Sequence, residues 1–220
     1  RNSVPVGPSN VIAIAAARFI SLAVKNDGTV IQWIGVNWSP ERGQLNEVPG
    51  LSNVISVAIG TTYQGTRNVA LRSNGTVAHW GDESTDKEAT PPAGLSNVIA
   101  IAVGSGHTLA LKSDGTVIGW GINNVGQATG IPMTNSPNIS AGQVQIGGQL
   151  LSNIVSVAAN DNYSMALKKD GTVIAWGRMV NDLYPATVPA GLSNVVAIAA
   201  GDNFCLAITT NAAVAEKFRR

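Results

Sequence analysis

The sequence contains little of what disulfide-linked, metal-bound or nucleic-acid-binding domains are built from. A single cysteine, Cys205, in 220 residues excludes an internal disulfide and a cysteine-based zinc site. The 14 basic and 13 acidic residues nearly cancel, so the formal charge of +1 gives no electrostatic footprint for nucleic acid or an anionic membrane. No apolar run reaches the length of a membrane span. We therefore expect no nucleic-acid partner, no membrane insertion, no metal and no other cofactor.

Aromatic residues are also scarce, at 5%, although hydrophobic residues make up 45% of the chain. The apolar mass is therefore mostly Val, Ile, Leu and Ala, which is typical of strands. One segment occurs five times: Ser-Asn followed by Val or Ile alternating with Ala or Ser. Its copies are found at Ser9–Ala15, Leu51–Ala58, Leu95–Ala102, Leu151–Ala158 and Leu192–Ala199. The period of two predicts a strand, and because both phases are apolar or small, neither face is expected to meet water.

Each copy continues into a second strand, a tight turn and a third strand. Asp-Gly or Asn-Gly between alternating strands predicts a type I′ hairpin turn, with positive φ at both central residues. These pairs are Asp27-Gly28, Asn74-Gly75, Asp114-Gly115 and Asp170-Gly171, whereas the fifth copy has Asn211-Ala212 and should turn differently. A tryptophan stands five residues after each turn glycine, at Trp33, Trp80, Trp120 and Trp176. We interpret these tryptophans as packing anchors rather than as a ligand platform.

A segment containing proline closes each unit, which predicts three strands plus a short fourth. Four-stranded units of about 40 residues indicate an all-β fold, a β-propeller, with a β-solenoid as the alternative. We expect a single domain, 1–220, with five blades and with residues 1–8 closing the last one. The predicted units are 9–50, 51–94, 95–150, 151–191 and 192–220. A larger ring, or one completed by another copy, is the alternative to closure by this chain alone.

The third unit carries the motifs of a known family. It reads Ala102-Val-Gly-Ser-Gly-His-Thr-Leu-Ala-Leu111, then Asp114-Gly-Thr-Val117, Trp120-Gly121 and Gly126-Gln127. This pattern resembles the repeats of the regulator-of-chromosome-condensation (RCC1) propellers. The short units with Val-Pro links are most similar to the bacterial branch, which includes a secreted protein inhibitor of β-lactamases. The resemblance implies a propeller that binds or regulates another protein, although family members usually have seven blades.

The sequence offers no catalytic constellation. His79 and His107 are the only histidines, and they occupy different positions in different units. His107 fills a position that holds Ile20, Arg67, Tyr163 or Phe204 in the other units, so we interpret it as a structural histidine. We therefore predict a non-enzymatic module that binds a protein or glycan partner. One alternative is a protein inhibitor or regulator of an enzyme. Another is a carbohydrate-active enzyme, which a polar pocket near the axis would favour.

In a repeat scaffold, function is expected where the copies differ. The loop 35–42, the link 61–67 and the insertion 131–148 are the segments without counterparts in the other units. Exposed aromatic residues near an arginine are the composition of binding hot spots. The candidate binding residues are Trp38, Tyr63, Arg67 and Tyr184, although Trp38 and Tyr184 are equally consistent with covering blade edges. We expect an extracellular or cell-surface bacterial protein, with flanking domains in a longer parent chain.

Overall fold

The computed structural model describes residues 9–17, 20–34, 45–61, 65–81, 90–133, 138–179, 184–202, 204–210 and 216–219. Every regular element within these ranges is a β-strand, as the residue pattern predicts. No helix long and apolar enough to cross a membrane occurs in the same ranges. The repeated segments therefore build an all-β scaffold.

In the described part of the chain, twenty strands form a series of small antiparallel sheets. In chain order they are β1 (Val11–Ala17), β2 (Ile20–Lys25), β3 (Val30–Ile34), β4 (Asn46–Glu47), β5 (Val54–Thr61), β6 (Thr66–Arg72), β7 (Val77–Gly81), β8 (Val98–Val103), β9 (His107–Lys112), β10 (Val117–Ile122), β11 (Ile139–Gln143), β12 (Gln145–Ile146), β13 (Gln149–Leu150), β14 (Ile154–Asn160), β15 (Tyr163–Lys168), β16 (Val173–Met179), β17 (Tyr184–Pro185), β18 (Val195–Gly201), β19 (Phe204–Thr209) and β20 (Glu216–Arg219).

Each predicted unit is one meander, in which every strand pairs with the next along the chain. Units 1, 3 and 4 have four strands, in the orders β1-β2-β3-β4, β8-β9-β10-β11 and β14-β15-β16-β17. The described parts of units 2 and 5 form three, β5-β6-β7 and β18-β19-β20, and β12-β13 is a separate hairpin within unit 3. The third-unit insertion, predicted as a variable segment, thus supplies the outer strand of its own sheet.

Neighbouring sheets pack face to face. We call the side of a unit that packs on the preceding unit its front face, and the side that packs under the following unit its rear face. Between units 1 and 2, the rear-face residues Leu22 and Val24 bury against the front-face residues Val54 and Val57. The same positions form the apolar clusters between units 2 and 3, 3 and 4, and 4 and 5. Burial of these Leu and Val side chains is the main stabilising contribution to the scaffold.

The repeated tryptophans are interior packing residues, as predicted. Trp33, Trp120 and Trp176 are 8%, 1% and 6% exposed. Trp80 is half-buried in the cluster between units 1 and 2, and its indole N–H lies 3.4 Å from Oε1 of Gln32. A buried indole needs such a polar partner in addition to its apolar contacts. Cys205, which takes the place of a small residue, is buried at the corresponding interface between units 4 and 5.

The prediction of type I′ turns is wrong. Of each Asx-Gly pair only the glycine has a positive φ, for example +79° at Gly28. Lys25 N–H donates to the Thr29 carbonyl and Gly28 N–H to the Lys25 carbonyl, both at 2.9 Å. This is a three-residue loop, a type I turn followed by a left-handed glycine. Asp27 is selected because its Oδ1 accepts hydrogen bonds from the backbone N–H and the hydroxyl of Thr29, at 3.0 and 2.6 Å.

The repeated Ser-Asn is a corner that joins two units. Its asparagine lies in the left-handed region in all five copies, with φ between 56° and 60°. The Asn53 carbonyl accepts the N–H of Ser73 from the turn of its own unit, at 2.8 Å. The next residue, Val54, donates to the carbonyl of Gly28 in the preceding unit, at 3.1 Å. A Cβ on Gly28 would lie 2.8 Å from the Cα of Asn53, so this close approach requires glycine.

Equivalent hydrogen bonds join each following pair of units. They run from Val98 to Gly75, from Ile154 to Gly115 and from Val195 to Gly171, at 3.0 to 3.2 Å. Asparagine suits the corner because it tolerates positive φ better than most residues that carry a Cβ. The most repeated dipeptide of the sequence is therefore a connector between units.

One position in each inner strand does meet water, contrary to the expectation from the alternating pattern. We call the first strand of each unit its inner strand. The register of its pairing with the second strand shifts by one residue at the second position of the inner strand in every unit, for example between Val54 and Ser56. Such a bulge leaves one side chain outside the alternation. The residues concerned are 46% to 55% exposed, and they are Ile12, Ile55, Ile99, Val155 and Val196.

The inner strands pack in the order β1, β5, β8, β14 and β18, whereas β18 and β1 do not pack on each other in this way. Among the described strands, none of another unit packs on the front face of unit 1 or on the rear face of unit 5 as the internal units pack on each other. Residues 1–8 and the turn at Asn211-Ala212 lie outside the described residues. The five-blade ring, with 1–8 closing the last blade, stays a prediction.

Candidate functional site at the variable pole

The two ends of the unit array differ in how alike the copies are. At one end, which we call the uniform pole, the Asx-Gly turns and Ser-Asn corners repeat the same hydrogen bonds. At the other end, which we call the variable pole, the first strand of each unit passes into the second and the third strand ends. The connecting segments there differ in both length and sequence from unit to unit. The residues that could distinguish one partner from another therefore lie at the variable pole.

A cavity of about 650 Å³ opens at the variable pole, and all five units contribute to it. The walls are formed by the links between first and second strands. The lining includes Ala16, Ala17, Gly60, Thr61, Gly104, Ser105, Gly106, Asn160, Asp161, Asn162 and Asp202. Small residues, together with the apolar side chains of Ile59, Val103 and Ile122, line the side of units 1 to 3, and amide and carboxylate side chains line the side of units 4 and 5. The cavity is thus polar and asymmetric, as a site for a polar ligand or an inserted loop would be.

In units 2 and 4, a side chain near the start of the second strand reaches across to the next unit. Arg67 Nη1 donates to the carbonyl of Ser105, at 2.7 Å. The hydroxyl of Tyr163 lies 2.6 Å and 2.7 Å from the carbonyl oxygens of Gly201 and Phe204. Burial raises the pKa of Tyr163 above its ordinary value, so the phenol stays protonated and available as a donor. In units 2 and 4 this position therefore fastens the link of the following unit.

Arg67, one of the predicted binding residues, lies inside the protein with 1% exposure. Its guanidinium fixes the carbonyl of Ser105, and Ser105 N–H donates to the carbonyl of Asp161 at 3.0 Å. Arg67 thus supports the wall of the cavity from beneath across units 2 to 4. Sequence reasoning expected an exposed arginine, because the burial of this position is visible only once the neighbouring link is in place.

His107 is the structural histidine that the sequence predicts. It is fully buried, and its Nε2 lies 2.7 Å from Oγ of Ser164 in unit 4. The Ser164 hydroxyl donates its own hydrogen to the Gln127 carbonyl at 2.8 Å, so Nε2 must carry the proton that His107 gives to Ser164. Nδ1 is left as an unprotonated, unpaired nitrogen. Burial, followed by the charge of Arg67, lowers the pKa of His107 to about 3, so the ring is neutral at physiological pH.

The segment after Trp120-Gly121 is an ordered plug between units 3 and 4. Gln127 is fully buried, and its carbonyl accepts hydrogen bonds from the Ser164 hydroxyl and from the indole N–H of Trp176, at 2.8 and 3.0 Å. Asn123, 1% exposed, accepts the N–H groups of Ala128 and Thr129 with its Oδ1, both at 3.0 Å. Sequence reasoning noticed Gly126-Gln127 only as a family motif and missed Asn123. The spacing of residues in the sequence did not indicate that Asn123 and Gln127 are buried.

Two of the other predicted binding residues, Trp38 and Tyr63, lie outside the described residues. The segments that contain them join strand ends at the variable pole: 35–44 follows β3, and 62–64 follows β5. Tyr184 begins the short outer strand β17, where its backbone pairs with Met179. Of the four predicted residues, the structure thus describes only the backbone of Tyr184, at a strand end, and Arg67, in the interior. Their participation in binding stays a prediction.

The chemistry of the cavity bears on the enzyme alternative. Asp161 and Asp202 line it from units 4 and 5, and Ser105 Oγ lies 3.3 Å from Oδ1 of Asp161. Asp161 also has a positive φ of 40°, a conformation uncommon outside glycine. Within the described ranges no group of three or more His, Cys, Asp or Glu side chains is arranged to hold a metal ion. The cavity thus offers two carboxylates and neutral hydrogen-bonding groups to a ligand.

Comparison with known proteins agrees with this architecture. The family model of the regulator of chromosome condensation (RCC1) repeat matches residues 98–127 and 154–182, which belong to units 3 and 4. Protein pim1 of Schizosaccharomyces pombe is 25% identical over a region covering 72% of this chain and 33% of that protein. The chain therefore spans about a third of the length of this relative.

Solved propellers superpose over nearly the whole chain. Prp20p from Saccharomyces cerevisiae, whose structure was described with its binding properties to Gsp1p and histones, is 21% identical with a TM-score of 0.71, covering 91% of this chain and 56% of that one. Human WBSCR16 is 17% identical with a TM-score of 0.66, covering 94% and 61%. The predicted resemblance to RCC1 repeats is thus confirmed: residues 98–127 and 154–182 match the RCC1 repeat, and the chain has the β-propeller fold of these solved structures.

Proposed function

We propose that this chain is a non-enzymatic binding module that presents its variable pole to a protein partner. The observation that carries the proposal is the contrast between the two poles. The uniform pole repeats one turn and one corner, with the same hydrogen bonds from unit to unit. The variable pole surrounds an asymmetric polar cavity with links that differ in each unit. Rigid strands below and unlike links above are the usual arrangement of a recognition surface.

The proposed contact residues are Trp38 and Tyr63, with Tyr184 at the margin. Tryptophan, tyrosine and arginine dominate binding energies at protein interfaces, because they combine large apolar area with polar groups. Arg67 has a supporting role in this proposal, since its side chain holds the Ser105 link rather than facing solvent. A protein is favoured over a glycan as the partner class because Prp20p, which has the same fold, was described as binding Gsp1p and histones. Inhibition or regulation of an enzyme would be one form of such binding.

Quantitative capture on immobilised protein tests this function. Wild type, a Trp38→Ala/Tyr63→Ala variant and a uniform-pole control are compared, and bound proteins are counted by mass spectrometry. The control is Asn26→Ala/Lys169→Ala, two exposed residues in the turns of the uniform pole. We expect the specific partner to be lost from the first variant and retained by the control. Capture that is undiminished by Trp38→Ala/Tyr63→Ala would remove the site assignment, and equal loss from both variants would contradict the choice of pole.

The cavity itself favours a second candidate, a carbohydrate-active enzyme. Most glycoside hydrolases use a pair of carboxyl groups, one as the general acid and the other as the base or nucleophile. Asp161 and Asp202, contributed by neighbouring units, are the candidates for these roles. Release of reducing ends from a panel of polysaccharides would measure the activity. Turnover that disappears in Asp161→Asn and Asp202→Asn would support the enzyme, whereas no turnover on any polysaccharide would leave the binding module as the function.

A further inference from the structure

The turn of unit 2 has the same hydrogen bonds as the other Asx-Gly turns but carries asparagine where they carry aspartate. Asn74 Oδ1 accepts hydrogen bonds from the backbone N–H and the hydroxyl of Thr76, at 3.1 and 2.7 Å. In unit 1, Asp27 accepts the same two bonds from Thr29, at 3.0 and 2.6 Å. Both bonds need only an acceptor, so a carboxylate oxygen can replace the amide oxygen of Asn74 without a change in the turn.

A basic residue stands two positions before the Asx residue in units 1 to 4. In units 1, 3 and 4 it is a lysine that forms an ion pair with the aspartate: Lys25–Asp27, Lys112–Asp114 and Lys168–Asp170, at 2.8, 3.4 and 3.5 Å. In unit 2 it is Arg72, which is paired with Val54 in the sheet as Lys25 is paired with Val11. Unit 2 thus has the cation of this repeated ion pair, with an amide in place of the carboxylate.

Asn74-Gly75 is the one Asn-Gly pair in the sequence, and such a pair can convert itself to aspartate. The backbone nitrogen of a glycine is not shielded by a side chain, so Gly75 N can attack Cγ of Asn74. The N–Cγ bond forms, the Cγ–Nδ2 bond breaks, and Nδ2 leaves as ammonia with the proton of the Gly75 nitrogen. Water then cleaves the N–Cγ bond of the cyclic imide, the nitrogen regains a proton, and residue 74 is left with a carboxyl group that ionises.

We propose that Asn74 is a site of spontaneous deamidation, and that the folded turn slows the reaction and accommodates the aspartate product. Asn74 is exposed, so water reaches it and ammonia can leave. Both reacting groups are held, however: Oδ1 accepts from Thr76, and Gly75 N–H donates to the Arg72 carbonyl at 2.9 Å. The Gly75 carbonyl also accepts the N–H of Val98 from the next unit, at 3.1 Å. The turn must therefore open locally before the nitrogen can attack.

The aspartate product fits the turn of unit 2 because it restores every bond that the reaction breaks. The carboxylate can accept from Thr76 as the amide did, and it can pair with Arg72 as the aspartates of the other units pair with lysine. Cleavage of the imide at its main-chain carbonyl gives isoaspartate instead, which adds one carbon to the backbone and does not fit the same turn. Deamidation to aspartate therefore gives unit 2 the ion pair of units 1, 3 and 4.

Incubation of the folded protein at mildly alkaline pH, beside the same chain unfolded in urea, tests the proposal. Peptide mapping by mass spectrometry follows the conversion of the Asn74 amide to a carboxylate. Asn53 and Asn97 are matched internal controls, because they are exposed at the same pole but are followed by valine, whose branched side chain shields the nitrogen. We expect conversion at Asn74 and not at the controls. Because hydrogen bonds of the turn must break first, conversion should be about tenfold to a hundredfold slower in the folded protein than in urea.

Two variants separate the protection by the turn from the fit of the product. Thr76→Val removes the hydroxyl that donates to Oδ1, so conversion of Asn74 in the folded protein should be about fivefold faster, with the rate in urea unchanged. Asn74→Asp carries the product from the start. Its melting temperature should lie within about 2 °C of wild type, because the turn keeps its hydrogen bonds and an exposed ion pair contributes little.

Three results would overturn the proposal. An intact Asn74 in the folded protein after about a hundred half-lives of the unfolded chain would mean that the turn never opens far enough for the attack. Equal rates in the folded and unfolded chain would mean that the hydrogen bonds of the turn do not restrain the reacting groups. A melting temperature of Asn74→Asp well below that of wild type would mean that the turn rejects the carboxylate. The turn lies at the uniform pole, so these results are independent of the proposed binding at the variable pole.

Discussion

Acid should destabilise this protein through a single neutral histidine. The pKa of His107 falls from 6.5 to about 3 in the folded protein, because the ring is buried and Arg67 lies nearby. The unfolded chain therefore takes up a proton on His107 below about pH 6.5 that the folded chain refuses until about pH 3. Stability is unaffected by this group above about pH 6.5 and decreases as the pH falls through that window.

The size of the effect follows from the shift. Each pH unit within the window costs about 1.4 kcal/mol, so His107 alone should lower the free energy of unfolding by about 2.5 kcal/mol between about pH 7.5 and pH 4.5. His107→Gln removes the titration while keeping an amide that can donate towards Ser164. At neutral pH we expect this variant to be about 1–2 kcal/mol less stable than wild type, because the geometry of a buried hydrogen bond is altered.

Urea unfolding followed by tryptophan fluorescence at the two pH values supplies the test. The exposed carboxylates Asp27, Asp114 and Asp170, whose pKa values are lowered chiefly by hydrogen bonds from Lys25, Thr116 and Thr172, titrate in both proteins and cancel in the comparison. Wild type should lose about 2.5 kcal/mol more than His107→Gln on acidification. Equal losses in the two proteins would refute the lowered pKa and the neutral state of the ring.

Three further perturbations check the connectors between units. Trp120→Ala should lower the free energy of unfolding by about 3–5 kcal/mol, because the side chain is 1% exposed, whereas the same change at half-buried Trp80 should cost less; urea titration compares them. Asn97→Gly should leave the melting temperature nearly unchanged and Asn97→Val should lower it, because φ is 58° there and a β-branched residue is strained in that region. Arg67→Met should lower stability, because the Ser105 carbonyl loses its donor, and should raise the pKa of His107 slightly, since burial remains the main cause of its shift; a smaller loss of stability on acidification in the urea assay would reveal this.

Local patterns predicted the strands and their order, because the alternation and the Asx-Gly turns act within a few residues. The turn type was predicted wrongly, because Asp27 caps Thr29 within a three-residue loop instead of adopting positive φ. The connecting role of the Ser-Asn corner was also missed, since its partner, Gly28 for Val54, belongs to the preceding unit. Contacts between units are not encoded in any one copy of the repeat.

The candidate site was predictable only in outline. Differences between copies indicated the segments that gather at the variable pole, but the side chain of Arg67 was expected outside and lies inside. Nothing in the sequence indicated that Asn123 and Gln127 are buried, because polar residues after a strand are typical of a loop, and the partners of Gln127, Ser164 and Trp176, are distant in sequence. Residues whose partners are distant in sequence are the ones that sequence reasoning placed least well.

The corner between units also determines how such a chain can change its length. Each corner from unit 2 onward donates a hydrogen bond to the turn of the preceding unit, as Val54 N–H does to the Gly28 carbonyl, so these bonds join only neighbouring units. After recombination adds or removes a copy, the corners and turns on both sides can therefore form the same hydrogen bonds as before, and no new type of contact is needed. Variation in the number of copies is then an inexpensive evolutionary step for this architecture, while novelty accumulates in the links at the opposite end.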